Sequence, residues 1–184
     1  MSTRYEGLLE QARANPVDAD YTALRMEFTS TPQYKPYDKD DALLDTLTNA
    51  VSVSDWGKIL EASNALLAEN YLDIKAHQWA RAAYEHLDQP QFMSFHLHFS
   101  QGLLNSIRDS GDGLTPETAF HVIDVQETYA FLDSLGAEVL GQKLVREGAH
   151  SYDVMDVQLA DGTQQTYYFN NDYLDEASLQ LGRL

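Results

Sequence analysis

The sequence predicts an α+β protein, helical over residues 1–108 and strand-containing over 109–184, on three observations. Apolar residues recur at helical spacing through the first half; a Gly-rich polar break stands at 109–113; beyond it apolar and polar residues alternate at strand spacing.

The first helix is read from Tyr5, Leu8, Leu9 and Ala12, which share one face before Asn15-Pro16 interrupts. Asp18 or Asp20 can cap a second helix with Tyr21, Leu24 and Phe28 inward, followed by an irregular link marked by Thr31-Pro32 and Lys35-Pro36. A third carries Leu43, Leu44, Leu47, Ala50 and Val51, and its acidic start at Asp40-Asp41 suits the positive end of the helix dipole. Ser54 is the expected cap of a fourth, with Trp56, Ile59, Leu60, Ser63, Leu66 and Leu67 along one stripe. Ala76, Trp79, Ala80, Ala83 and Leu87 mark a fifth; Phe92, Phe95, His96, Phe99 and Leu103 mark a sixth.

The small residues of the fifth helix allow close antiparallel packing of the kind tetratricopeptide (TPR) pairs use. Between Asp55 and Ile107 there is room for about one and a half such units, and roughly three are needed to stand alone. The helical region is therefore expected to share a continuous core with the small α/β region that follows.

Two glycines and short polar side chains in Asp109-Ser110-Gly111-Asp112-Gly113 favour turns. Phe120–Val125 then reads as a strand and Gln126–Leu135 as a helix stopped by Gly136. Val154–Asn170 reads as a β-hairpin, since Met155, Val157 and Leu159 alternate with Asp156 and Gln158, Asp161-Gly162 supplies a two-residue turn, and Thr166–Asn170 returns. Tyr167 and Phe169 would share one face of the returning strand and Tyr168 the other, as in a sheet packed on both sides. A short helix from about Asp175 closes the chain.

Several stretches together carry a family pattern: Ser110-Gly-Asp-Gly, Pro116-Glu-Thr-Ala-Phe-His-Val-Ile, Glu127-Thr-Tyr, Tyr152-Asp-Val-Met-Asp-Val, Tyr168-Phe-Asn, and earlier Tyr34-Lys-Pro-Tyr37. They resemble the bacterial domain of unknown function 4919 family over most of the chain, most specifically from Leu103 to Asn170. The resemblance implies fold and bacterial origin and names no substrate, cofactor or catalytic residue. Gln126-Glu127-Thr128 departs from the more acidic pair expected before the tyrosine.

Composition narrows the function classes. The chain of 184 residues holds 29 acidic and 12 basic side chains, a net charge of -17, which repels phosphate backbones and anionic membranes. Its 11 Tyr, 7 Phe and 2 Trp are buried-type rings that argue for a folded protein. Cysteine is absent, which excludes disulfides, thiolate zinc sites and a cysteine nucleophile. Nothing in the N-terminal stretch has the apolar run of a secretory signal, so a cytoplasmic location is expected.

Candidate chemistry is sparse. The Asp109, Asp112 and Glu117 loop has carboxylates a hard cation could use, but Gly111 and Gly113 stand where oxygen ligands belong, so it reads as a tight connector. His96 and His98 point roughly 200° apart on a helix and cannot share an ion; His96 reads as a hydrogen-bonded core histidine. The other histidines, His77, His86, His121 and His150, are scattered, and neither metal nor cofactor is expected. Ser110 lacks the glycine two before it that a nucleophile elbow requires.

The leading expectation is a non-enzymatic protein–protein interaction module with a basic protein partner, for example an immunity or adaptor protein covering a cationic toxin or effector. The alternative is a small carboxylate-dependent hydrolase or ligand-binding protein in which Asp112 and Glu127 line one pocket. Acidity serving solubility alone is a third reading.

Overall fold

The computed structural model describes residues 3–37 and 40–180, with eight helices and a four-stranded sheet among them. The chain divides into two compact units, Met1–Leu103 and Leu104–Leu184.

In the first unit, α1 (Arg4–Ala14) opens with a capping box: the Thr3 hydroxyl accepts from Glu6 N–H while the Glu6 carboxylate accepts from Thr3 N–H. It ends at Asn15, as the Asn-Pro pair predicts. Asp20, rather than Asp18, caps α2 (Tyr21–Phe28), whose Tyr21, Leu24 and Phe28 are buried. Phe28 meets the Tyr5 ring at 5.3 Å, which joins α1 to α2. Arg25 is also buried there, an arginine that apolar spacing does not single out.

Next come α3 (Asp41–Ser52), α4 (Trp56–Glu69) and α5 (Ile74–His86), with α4 packed against both neighbours. Leu47, Ala50, Ile59, Ala62, Leu66, Leu67, Ala76 and Ala83 form their common core. Alanines on the facing stripes let the backbones approach closely. The cap of α4 is Asp55, not Ser54: Asp55 Oδ1 accepts from Lys58 N–H at 3.2 Å. Ser54 instead adopts a left-handed backbone (φ 54°) and donates its N–H to Val51 at the end of α3.

The sixth helix, α6 (Pro90–Arg108), begins on a proline, which suits a first helical position because its missing N–H would be unbonded there anyway. Between α5 and α6 lie rings rather than alanines: His77 stacks on Phe99 at 4.4 Å and Tyr84 on His96 at 5.5 Å.

The second unit holds β1 (Phe120–His121), α7 (Val125–Ser134), β2 (Glu138–Glu147), β3 (His150–Gln158), β4 (Gln164–Asn170) and α8 (Asp172–Gln180). The strand order is β1-β4-β3-β2, with β1 parallel to β4 and the other pairs antiparallel. The β3–β4 hairpin lies within the predicted range, but its turn is a three-residue loop. Leu159 N–H donates to Thr163 O at 2.8 Å, leaving Ala160, Asp161 and Gly162 outside the ladder, with Gly162 at φ 85°.

The strand predicted over Phe120–Val125 shrinks to two residues because Asp124 caps α7, its Oδ1 accepting from Gln126 N–H at 2.7 Å. The closing helix begins at Asp172, earlier than predicted. Asn170 Oδ1 takes the Asp172 N–H and the Asn171 carbonyl takes the Asp175 N–H, which starts the winding there.

Register sorts the sheet side chains onto two faces. Phe120, Tyr167 and Phe169 share the face that meets Phe131 of α7, with Phe120 4.6 Å from that ring. Tyr168 lies on the other face with Tyr152, Val154, Val145 and Ala119. The Tyr-Tyr-Phe run is thus packed on both sides.

The alternation rule does not announce β2. A bulge between Val139 and Gly141 breaks its period, and it forms the outer edge of the sheet with most of its side chains exposed.

Candidate functional site

Asp112 lies exposed in the connector after α6. Its Oδ1 accepts from Leu114 N–H at 3.0 Å and from the Thr118 hydroxyl at 2.5 Å, and that hydroxyl bond, reinforced by the backbone one, holds the carboxyl below the usual carboxylate range. This is an aspartate bonding its own turn. Ser110 also serves locally: its hydroxyl donates to Ile107 O at 2.6 Å and accepts from His121 N–H at 2.8 Å.

Glu127 is buried in the first turn of α7, where its carboxylate accepts from Ile123 N–H at 2.9 Å. It reaches back past the Asp124 cap to the residue before it, one position beyond the N–H that a capping-box glutamate takes. Asp112 and Glu127 therefore serve two different turns, one exposed and one buried.

His96 pairs with His77. The Nδ1 atoms lie 2.8 Å apart, and His77 Nε2 lies 2.9 Å from the Tyr71 carbonyl oxygen. A carbonyl only accepts, so His77 carries its proton on Nε2 and offers the Nδ1 lone pair to His96 Nδ1–H. Burial pushes His77 down to about 3 and His96 down to about 4, so both are neutral at physiological pH. His98 lies instead near Ser94, at 3.4 Å.

A cluster that the sequence reading misses sits where β3 begins and α8 starts. Asp172 Oδ2 lies 2.6 Å from His150 Nδ1 and accepts from the Asn170 amide at 3.0 Å; Asp172 Oδ1 accepts from Ser151 N–H at 3.2 Å. Burial pushes the Asp172 carboxyl up, and the bonds from His150, Asn170 and Ser151 more than offset this and hold it low. The hairpin register was the available signal, since it places the start of β3 beside the end of β4.

Ser151, His150 and Asp172 are the residue types of a hydrolytic triad without its geometry. Successive strand residues point to opposite faces, and the Ser151 hydroxyl is buried without a hydrogen-bond partner. Among the described residues no three His, Asp or Glu side chains gather into a metal-holding group, and no helix is long and apolar enough to cross a membrane.

Several surface carboxylates are held below the usual carboxylate range by bonds within their own turns. Asp55 is lowered by Lys58 N–H, Glu117 by the Thr115 hydroxyl and Asp161 by Thr163 N–H, each acting alongside the lowered Asp112. Negative charge is the dominant chemical property of this surface.

Fold and surface together define an acidic α+β protein with a helical unit followed by a mixed-sheet unit. The family described as a domain of unknown function (DUF4919) matches residues 3–178, and the chain belongs to it. No curated protein and no solved structure matches the chain.

Proposed function

We propose that this protein is a non-enzymatic interaction module that binds a basic protein partner in the cytoplasm. The net charge of -17 carries the reading. Asp55, Asp112, Glu117 and Asp161, each lowered by bonds within its own turn, contribute to that charge, and a field of this sign accelerates encounter with a cationic surface. The α4–α5 pair, closely packed on Ala62, Ala76 and Ala83, supports TPR-like geometry. An immunity or adaptor protein masking a cationic toxin or effector is the specific form.

The hydrolase or ligand-binding reading through Asp112 and Glu127 has weaker support. A general acid needs a raised pKa, whereas hydrogen bonding lowers that of Asp112.

Affinity capture followed by titration of each purified partner tests the module. The expected result is a defined complex with a protein of basic isoelectric point, weakening steeply between about 0.05 M and about 0.5 M salt. Failure of any basic protein to form a purified binary complex at the lower salt overturns it, as does an affinity indifferent to salt.

A further inference from the structure

We infer that the outer edge of β2 is a self-association surface, pairing antiparallel with β2 of a second copy about a two-fold axis at Leu144. Among the described residues β2 pairs with one strand, β3, so its other side is the open edge of the sheet, with backbone donors and acceptors that no described strand takes. The bulge at its start leaves Gly141–Glu147 in regular register with β3, long enough for an added strand.

Two side-chain features point to a second copy as occupant. Of the nine exposed large apolar residues among the described residues, three lie on this one strand: Val139, Leu140 and Leu144, the last 58% exposed. The strand is also electrically neutral, with Glu138 and Glu147 against Lys143 and Arg146, in a chain of net charge -17. A basic partner would gain nothing from a neutral strand. Two copies of an acidic chain, which repel one another elsewhere, can approach there.

The pattern is self-complementary. With the axis at Leu144, that side chain meets its own counterpart on the face bearing Gln142, where Gln142 Oε1 already accepts from the Tyr129 hydroxyl at 2.7 Å. On the opposite face Lys143 stands across from Val145 of the second copy and has two diagonal neighbours there, Glu147, with which the symmetry makes two ion pairs, and the second Lys143, whose like charge those two glutamates offset. Lys143 on an edge strand ordinarily deters pairing; here the same register gives it a partner.

The salt dependence separates this surface from the proposed partner-binding role. Raising salt from about 0.05 M to about 0.5 M shortens the screening length from roughly 14 Å to roughly 4 Å, which relieves repulsion between the two acidic bodies. Self-association should tighten by at least several-fold, while binding of a basic protein weakens.

Sedimentation equilibrium on the full chain at both salts provides the test. The expected result is a monomer–dimer equilibrium that tightens with salt and weakens about tenfold or more in Leu144→Lys, with that variant's circular dichroism and melting temperature unchanged. A cysteine-free background adds a measurement independent of that variant's folding. Leu144→Cys should oxidise to a disulfide-linked dimer, and Val17→Cys, more exposed still and in the other unit, should not. A monomer at both salts, a dimer indifferent to Leu144→Lys, or equal cross-linking of the two cysteine variants overturns the inference.

Discussion

His77 and His96 face each other nitrogen to nitrogen at 2.8 Å, one on α5 and the other on α6, and the Tyr71 carbonyl fixes which ring donates. The unfolded chain lets each ring protonate near the usual histidine value, whereas burial holds the folded pair down at about 3 and about 4. Folding therefore excludes protons that the unfolded chain binds. Stability is complete above about pH 6.5 and declines as pH falls from there towards the folded values, by roughly 1 kcal/mol per pH unit for His77. Urea midpoints across pH check this. The acid slope should be shallower in His77→Gln whatever that variant's stability at neutral pH, and an unchanged slope refutes the assignment.

Gly102 on α6 lies against the Tyr21 ring so closely that an added Cβ would collide with its Cε2. Tyr21 has little room to yield, because its hydroxyl donates to the Pro16 carbonyl at 2.9 Å and its ring lies edge-on to Phe99 at 5.2 Å. Gly102→Ala should cost about 1–3 kcal/mol despite the helix preference for alanine, read by chemical denaturation. A stabilised variant would contradict the packing described.

Ser151 presents the opposite case. Its hydroxyl is buried with no partner, so Ser151→Ala removes a desolvated polar group. The variant should be neutral or more stable by up to about 1 kcal/mol. A loss of that size or more would show that the hydroxyl bonds something in solution, such as an ordered water.

Asp172 ties the start of α8 to β3 and to the end of β4 through three hydrogen bonds to its carboxylate, two from His150 and Ser151 and one from Asn170. Asp172→Asn keeps the shape and removes the charge, and should cost about 1 kcal/mol at pH 7. The folded carboxyl titrates below its ordinary value, so its contribution is present above about pH 4 and lost as pH falls through the folded value; wild type and variant should converge in acid. A difference between them that persists at low pH would assign the effect to shape instead.

Much of the helical unit was legible because its signals are local. Asp20 and Asp40 bond backbone N–H groups two or three residues ahead, and Ile59, Ser63, Leu66 and Leu67 lie on one face by the period of the helix alone. Where two capping residues stood side by side, as with Ser54 and Asp55, propensity could not rank them. The backbone had to leave α3 in a left-handed conformation at Ser54, which left Asp55 to cap α4.

The candidate site was less legible, because its contacts are distant in sequence. Asp112 and Glu127 looked like a pair on residue type, and each is bound to its own turn. His150 and Asp172 looked unrelated until the β3–β4 register brought them within 2.6 Å.

By itself the sequence determined the helical first half, the β3–β4 hairpin and the family, since periodicity, caps and motifs act through neighbours along the chain. Only the tertiary structure decided that His77 bonds His96, that the Ser151 hydroxyl is sealed in, and that β2 stands at the sheet edge with Leu144 exposed. The physical reason is that hydrogen-bond partners and burial belong to pairs of elements, and the spacing of residues within one element carries no record of what will pack against it.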